Sequence, residues 1–494
     1  MDTTVISITG IYIAFIFVIG VLTSRRIGSS DDFLVAGRNV GWFFLACTMG
    51  ATAVGGGYSI GAVGKTYELG LLMVLASLGG YLQFVFSGLF IAPKVRGAEV
   101  FTVAGYMGKR FGQGPRRVAL VLSLLFSLFI IAAQMAAIGH VVTAMLPDSS
   151  DPGYWATWAI VLGGLVVVIY STAGGLKAVI LTDAFQFFVL LAGFGITAAL
   201  VLPEVMSDGQ ATFSELPRFF FEPTGGKGPI YLGSLFLAFL LGETFAPGYV
   251  TRFCSGKSSF DLRLGIGGVG VLLTLLMPAL VFLIAAYARV RFPDIEPGQA
   301  MAAVITHLNH PIIAGLIIAA LLSAVMSSAD SALNSATAIF IKDIFEPAWG
   351  TSRLNDRQTL RLARGLTALL GILSIAAALV MPDIIEQLLF AYHIWAPGMI
   401  VPVVVAAMTR LDGPRVRLAL TISMIIGPLA AMSHKALRGA VYERGPMPQW
   451  IGEIDPAIFG VVICAAMFTL LLILLRTDLP NRRHGRIPPK RNLP

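Results

Sequence analysis

Ala324-Val325-Met326-Ser327-Ser328-Ala329-Asp330-Ser331 sits in the middle of an apolar run from about Ile312 to Ile341. A run of that length crosses a bilayer as a helix, which takes about 20 residues. Three hydroxyls and a carboxylate then lie near the depth where charge is most expensive, and an intramembrane acid is by default a functional group. Hydroxyl, carbonyl and carboxylate oxygens are what a hard cation coordinates, so the stretch reads as a cation site. Small Ser and Ala residues also let membrane helices pack closely, but Asp330 is not a packing residue.

Composition points the same way. Of 494 residues, 56% are hydrophobic and 13% charged, and the mean hydropathy is +0.82, which excludes a soluble globular chain. The expected spans are Val5–Leu22, Trp42–Gly64, Leu71–Ala92, Val118–Leu146, Ala156–Tyr170, Ala178–Leu202, Ile230–Tyr249, Leu264–Ala288, Ile312–Ile341, Leu366–Met381, Ile385–Met408, Leu418–Met432 and Ala457–Leu475. The fold class is therefore an all-α integral membrane protein of about 13 transmembrane helices, since transmembrane strands are only about ten residues long and alternate strictly. The first run lacks a basic n-region and a small-residue cleavage site, so it is expected to stay as a span. Cys47, Cys254 and Cys464 lie in or beside apolar segments and suggest neither a disulfide framework nor a metal cluster. A short surface helix is expected between Pro293 and His310, and partial order in the loop of about 203–229.

Of the 35 basic residues, 27 fall in the loops of one side and 8 in those of the other. The excess marks the cytoplasmic face, so the N-terminus is expected outside and the C-terminus inside, in the cell (inner) membrane. The net charge of +8 is then a topology signal and implies no nucleic-acid partner.

Two spans carry interruptions. Gly55-Gly56-Gly57 puts three residues, each about 1 kcal/mol worse than Ala in a helix, inside the second span, and Pro247-Gly248 interrupts the seventh. Broken helices at membrane depth are tolerated where the freed carbonyls line a cavity or hold an ion. Close helix packing through glycine is the alternative.

Phe33-Leu34-Val35-Ala36-Gly37-Arg38, then Gly174-Gly175-Leu176-Lys177-Ala178-Val179 with Thr182-Asp183, then the Ser327-Ser328 stretch together resemble the sodium:solute symporter family over nearly the whole chain. The resemblance implies one transporter domain over 1–476 with a five-plus-five inverted-repeat core of broken helices. An extra first span of about 5–22 precedes a first repeat of about 41–202. A second repeat runs through about 230–432, a last span covers about 457–475, and the tail 477–494 is expected to be disordered. It also implies a main Na+ site made by the backbone carbonyls of Ala51, Val54 and Ala324 with the hydroxyls of Ser327 and Ser328. Some members hold a second Na+, and Asp183, Ser327, Asp330 and Ser331 match those positions.

The stretch from Thr48 to Tyr58, with Val325 to Ser331, is most similar to the high-affinity choline transporter branch. A quaternary ammonium needs an aromatic cage, and the tryptophans of that branch correspond here to Ala53 and Ala246, so choline is not implied. Ala53 also replaces the acid of proline-transporting members.

A solute cavity is expected between the broken helices and spans four and eleven. Its candidate lining residues are Tyr58, Gln83, Gln134, Glu243, Phe245, Tyr392, His393 and Trp395. Phe245 and Trp395 could equally be packing or interface anchors, and Gln83 and Gln134 interhelical glue. No basic residue falls securely inside a span, so a carboxylate solute would rely on helix N-termini and Na+. No nucleophile–base set or phosphate loop suggests an enzyme. The resulting expectation is Na+-coupled symport of a small polar organic solute (amino acid, betaine or short-chain carboxylate) by alternating access, with Na+ and membrane lipid as the other partners. Proton coupling through Asp183 and Asp330, or a transporter-like solute sensor, are the alternatives.

Overall fold

The computed structural model describes residues 3–24, 34–144, 152–207, 214–349, 356–381, 383–437 and 449–475; Phe33 and the tail 477–494 lie outside them. In chain order the main helices are α1 (Thr3–Ser24), α2 (Trp42–Ala53), α3 (Gly57–Leu69), α4 (Leu71–Gly97), α5 (Val103–Phe111), α6 (Gln113–Ala144), α7 (Pro152–Ser207) and α8 (Pro229–Gly242). They continue with α9 (Pro247–Ser255), α10 (Ser259–Arg291), α11 (Ala300–Leu308), α12 (Pro311–Ala348), α13 (Asp356–Val380), α14 (Ile384–Met408), α15 (Pro414–Leu437) and α16 (Pro456–Leu474). The one pairing of extended backbone among the described residues is a parallel bridge between Val40 and Gly256. An all-helical chain is what a bilayer demands, because each segment must satisfy its own backbone polar groups.

Nine helices among the described residues are long and apolar enough to cross a membrane, and two bent pairs bring the number to eleven. Shorter apolar helices over Thr3–Phe15 and Gly153–Ile169 stand at the expected first and fifth spans. The bent pairs are α2 with α3, at 56°, and α8 with α9, at 46°. They fall where Gly55-Gly56-Gly57 and Pro247-Gly248 predicted interruptions.

Three features differ from the expectation. Helical hydrogen bonding runs on between the expected fifth and sixth spans, so that α7 extends over 56 residues. A straight helix of that length would be about 84 Å, far more than one crossing, so the apolar parts on either side of the junction count as two. The expected surface helix is α11, but it buries Met301, Val304 and Ile305, because its apolar residues recur at helical spacing. The seventh span does not end at Tyr249; its second half continues to Ser255.

The core is organised around α12. Of its most apolar window 83% is buried, against 22% for α16. Its Ala, Ser and Gly residues let α1, α6, α7, α2 and α9 approach closely, as small residues do in membrane helices. Elsewhere glycine permits backbone contact: a Cβ on Gly79 of α4 would lie 2.3 Å from the Phe236 carbonyl oxygen of α8. Overpacking of this kind costs about 1–3 kcal/mol. Gly79→Val is therefore expected to lower the melting temperature of the purified protein. Gly195→Val is the control, since nothing lies within 4 Å of the position its Cβ would take.

Candidate functional site

The first break is built by its glycines. α2 ends where the Val54 N–H closes on the Gly50 carbonyl at 2.9 Å, and α3 restarts in a wide turn in which the Gly61 N–H reaches the Gly56 carbonyl at 2.8 Å. Between them the Gly56 N–H is taken by the side-chain oxygen of Gln134, on α6, at 2.9 Å. A freed backbone donor inside a membrane needs such a partner, which gives Gln134 a definite task.

The Thr52 carbonyl at the end of α2, left with a long bond from the Gly55 N–H at 3.3 Å, faces α12. Ser328 Oγ lies 3.1 Å from the Thr52 carbonyl oxygen and 3.0 Å from that of Ala324. A Cβ on Gly55 would fall 2.1 Å from this hydroxyl, so only glycine lets the break close on Ser328. Ala51 and Val54 are buried in the same turn. The structure thus brings Ala324, Ser328 and the break of α2 together. Ser327, one residue along, turns instead to α7, where its hydroxyl meets Asp183.

Asp183 has a partner that the sequence reading placed in a loop. Arg252, on α9, is completely buried and its Nη2 lies 3.3 Å from Asp183 Oδ2, itself completely buried. Arg252 also donates from Nε to Thr48 Oγ1 at 2.9 Å, from Nη1 to the Gly248 carbonyl at 3.0 Å, and from Nη2 to Thr52 Oγ1 at 2.6 Å and Ser331 Oγ at 2.5 Å. The expectation that no basic residue lies inside the core is therefore corrected. The physical reason is the length of α9: a half-helix that began at Pro247 and stopped at Tyr249 would be less than one turn, so the span has to carry Arg252 with it. That arithmetic was available from the sequence. Thr48 completes the cluster by donating to Asp183. Asp330 points elsewhere, to the Ser171 hydroxyl of α7.

The second break forms a separate polar centre. Glu243 ends α8 and accepts from Tyr392 at 2.7 Å on Oε1, and from Gln83 at 3.3 Å and Tyr249 on Oε2. The Trp395 indole N–H caps the freed Thr244 carbonyl at 3.2 Å. Phe245 has φ +66°, a left-handed conformation that costs a bulky residue about 1–2 kcal/mol. Its ring packs on Tyr106, with centroids 5.5 Å apart, and so anchors the break. Tyr58 packs on Tyr81 with the two rings tilted by 51°, and meets Phe239 edge-on.

A small central cavity of about 40 Å³ is lined by Thr52, Ser127, Gln134, Glu243, Tyr249 and Ser328 among others, so it touches both breaks. Of the expected lining residues Gln134 and Glu243 line it, whereas Tyr58, Gln83, Phe245, Tyr392 and Trp395 pack behind it and His393 lies apart. It pairs with Asp455 at 3.4 Å and lines a larger recess of about 440 Å³ with Lys65, Lys227, Phe239 and Asp383. Thr48, Thr52, Tyr249 and Arg252 were missed as candidates. A lone Thr or Tyr in an apolar run carries no sequence signal of its own.

Comparison with known proteins agrees with this architecture. The chain is 26% identical over 372 residues to high-affinity choline transporter 1 of Caenorhabditis elegans, covering 69% of this chain and 63% of that one. It thus spans less than two thirds of that relative's length. It is also 26% identical over 411 residues to the sodium/pantothenate symporter of Haemophilus influenzae, covering 77% and 81% of the two chains. In fold it is similar to a Na+-coupled sialic acid symporter solved in a substrate-bound outward-open state, with a TM-score of 0.77 at 21% identity over 98% of this chain and 100% of that one. The model of the sodium:solute symporter family matches residues 33–411, and the chain, with its two broken helices and the first break closed on Ser328 of α12, belongs to the sodium:solute symporter family.

Proposed function

We propose that the chain is a secondary transporter that carries a small polar organic solute into the cell together with Na+, acting as a multi-pass protein of the cell membrane with its N-terminus outside. The observation that carries this reading is Ser328 Oγ within 3.1 Å of two main-chain carbonyls, one of them at the break of α2. Hydroxyl and carbonyl oxygens converging at a break supply the hard ligands that Na+ needs. The proposed ion site is made by the backbone of Ala51, Val54 and Ala324 with Ser328 and with Ser327, whose hydroxyl leaves Asp183 to reach the ion.

Ions and solute that stabilise the same conformations become coupled, because each raises the affinity for the other by the same factor. One Na+ moving across about 100 mV releases about 2.3 kcal/mol, enough for roughly fifty-fold accumulation. The inverted repeat supplies the motion: the broken helices rock against the rest while the site stays near mid-bilayer.

A second Na+ at Asp183, Asp330 and Ser331 is a weaker proposal. The Arg252 guanidinium already stands between Asp183 and Ser331 and neutralises that acid, so one ion per cycle is the simpler reading. Coupling to protons is the rival, favoured by Asp330, whose carboxylate has one hydrogen-bond partner among the described residues, the Ser171 hydroxyl.

The test is solute uptake into proteoliposomes under an imposed Na+ gradient, a K+ gradient or a pH gradient. Uptake is expected with Na+ alone; uptake driven equally well by the pH gradient without Na+ would establish proton coupling. Gly55→Ala, which presses a methyl group on Ser328, is expected to raise the half-saturating Na+ concentration several-fold. That shift is read in the same assay.

A further inference from the structure

We propose that Glu243 is the subsite for a protonated amine, so that the transported solute is a small organic molecule carrying an N–H cation. This rests on the transport reading above and names the class of substrate. Glu243 lies at the break between α8 and α9 and is buried, and all three of its side-chain donors are neutral: Tyr249, Tyr392 and Gln83. A carboxylate offers about four acceptor positions. Two donors occupy Oε2 and one occupies Oε1, leaving a lone pair on Oε1 for a further donor.

The fixed charges nearby leave this acid without a counter-ion. Arg252 is the basic side chain buried beside the breaks, and its guanidinium is committed to Asp183, Thr48, Thr52 and Ser331. No ion pair to Glu243 occurs among the described residues; Lys65, in the separate larger recess, pairs with Glu68 and Asp383. A buried carboxylate is strongly disfavoured unless a cation reaches it. Na+ at Ser328 would sit across the same cavity from Glu243, so ion and solute occupy neighbouring places and each lowers the cost of the other.

The surroundings select the kind of cation. A quaternary ammonium presents only methyl groups and is recognised by aromatic faces. At Glu243 the two nearest tyrosines present hydroxyls rather than faces to the acid, and Ala246 lines the same cavity. Charge-assisted N–H donation to a carboxylate is the interaction this arrangement can complete. The Tyr249 and Phe126 side chains supply apolar walls for the carbon skeleton.

The experiment measures thermal stabilisation of the purified full chain by matched solutes, in Na+ and separately in K+: alanine against lactate, proline against its N,N-dimethyl betaine, and short alkylamines against the corresponding alcohols. Amine-bearing members are expected to stabilise at concentrations at least ten-fold below those of their amine-free or quaternary partners. Glu243→Gln is expected to abolish that preference while keeping the shift caused by Na+ alone. Lactate or betaine acting as well as its partner on the unaltered protein overturns the proposal, as does a panel in which no amine stabilises. This comparison needs no variant, so it decides the matter even where Glu243→Gln does not fold. Failure of the transport reading looks different: amine selectivity that depends on Glu243 but is identical in Na+ and K+ upholds the amine subsite and removes sodium.

Discussion

Arg252→Met is expected to destabilise the protein more than any other single change at the breaks. The guanidinium and the Asp183 carboxylate are both fully buried and lie 3.3 Å apart. Removing one partner of a buried pair costs about 3–5 kcal/mol, because the other charge is left without compensation. Four further acceptors, Thr48, Thr52, Ser331 and the Gly248 carbonyl, lose a donor at the same time. The outcome is read as a large fall in melting temperature in detergent and a loss of monodisperse protein. Arg252→Met combined with Asp183→Asn removes both charges, and most of the loss is expected to return, since an uncharged site carries no uncompensated ion. A double variant as unstable as the single one would show that the hydroxyl contacts, rather than the charge pair, hold α9 in place.

Ser328→Ala is expected to have the second-largest effect, on ion coupling and not on folding. The hydroxyl is shared between the Thr52 and Ala324 carbonyls, and an alanine of smaller volume fits the same space. A ligand oxygen facing an ion is worth about 1.5–3 kcal/mol, as for hydrogen bonds to charged groups, which corresponds to roughly 10–100-fold in affinity. The half-saturating Na+ concentration for uptake should rise by that factor while the melting temperature without Na+ changes little. Unchanged Na+ dependence would move the ion away from α12 and toward Asp183. The two substitutions are separable because Arg252 bonds to the Thr52 and Ser331 hydroxyls, whereas Ser328 bonds to the main-chain carbonyls of Thr52 and Ala324.

The bent pairs were legible from residues alone, because consecutive glycines and Pro-Gly are poor helix formers wherever they occur. So was the hydroxyl stretch of α12, since polar groups at membrane depth stand out against their neighbours. Gln83 and Gln134 could be picked out as polar but not assigned: Gln134 holds the Gly56 N–H, whereas Gln83 donates to Glu243. His393 stands in sequence between Tyr392, which donates to Glu243, and Trp395, which caps Thr244. On a helix, however, adjacent residues point about 100° apart, and His393 faces Asp455 instead.

By itself the sequence determined that the chain crosses the membrane many times as helices, where two of those helices break, and which span carries the hydroxyls and the acid. Each of these depends on local composition, which hydrophobic transfer and backbone hydrogen bonding read directly. Only the tertiary structure decided which acid receives which partner: Arg252 for Asp183, the hydroxyl of Ser171 for Asp330, and three neutral donors for Glu243. Those pairings join residues up to 160 positions apart in the chain. The rotation and depth of each helix set them, and both are fixed by close packing against α12 rather than by any property of the residues taken one at a time.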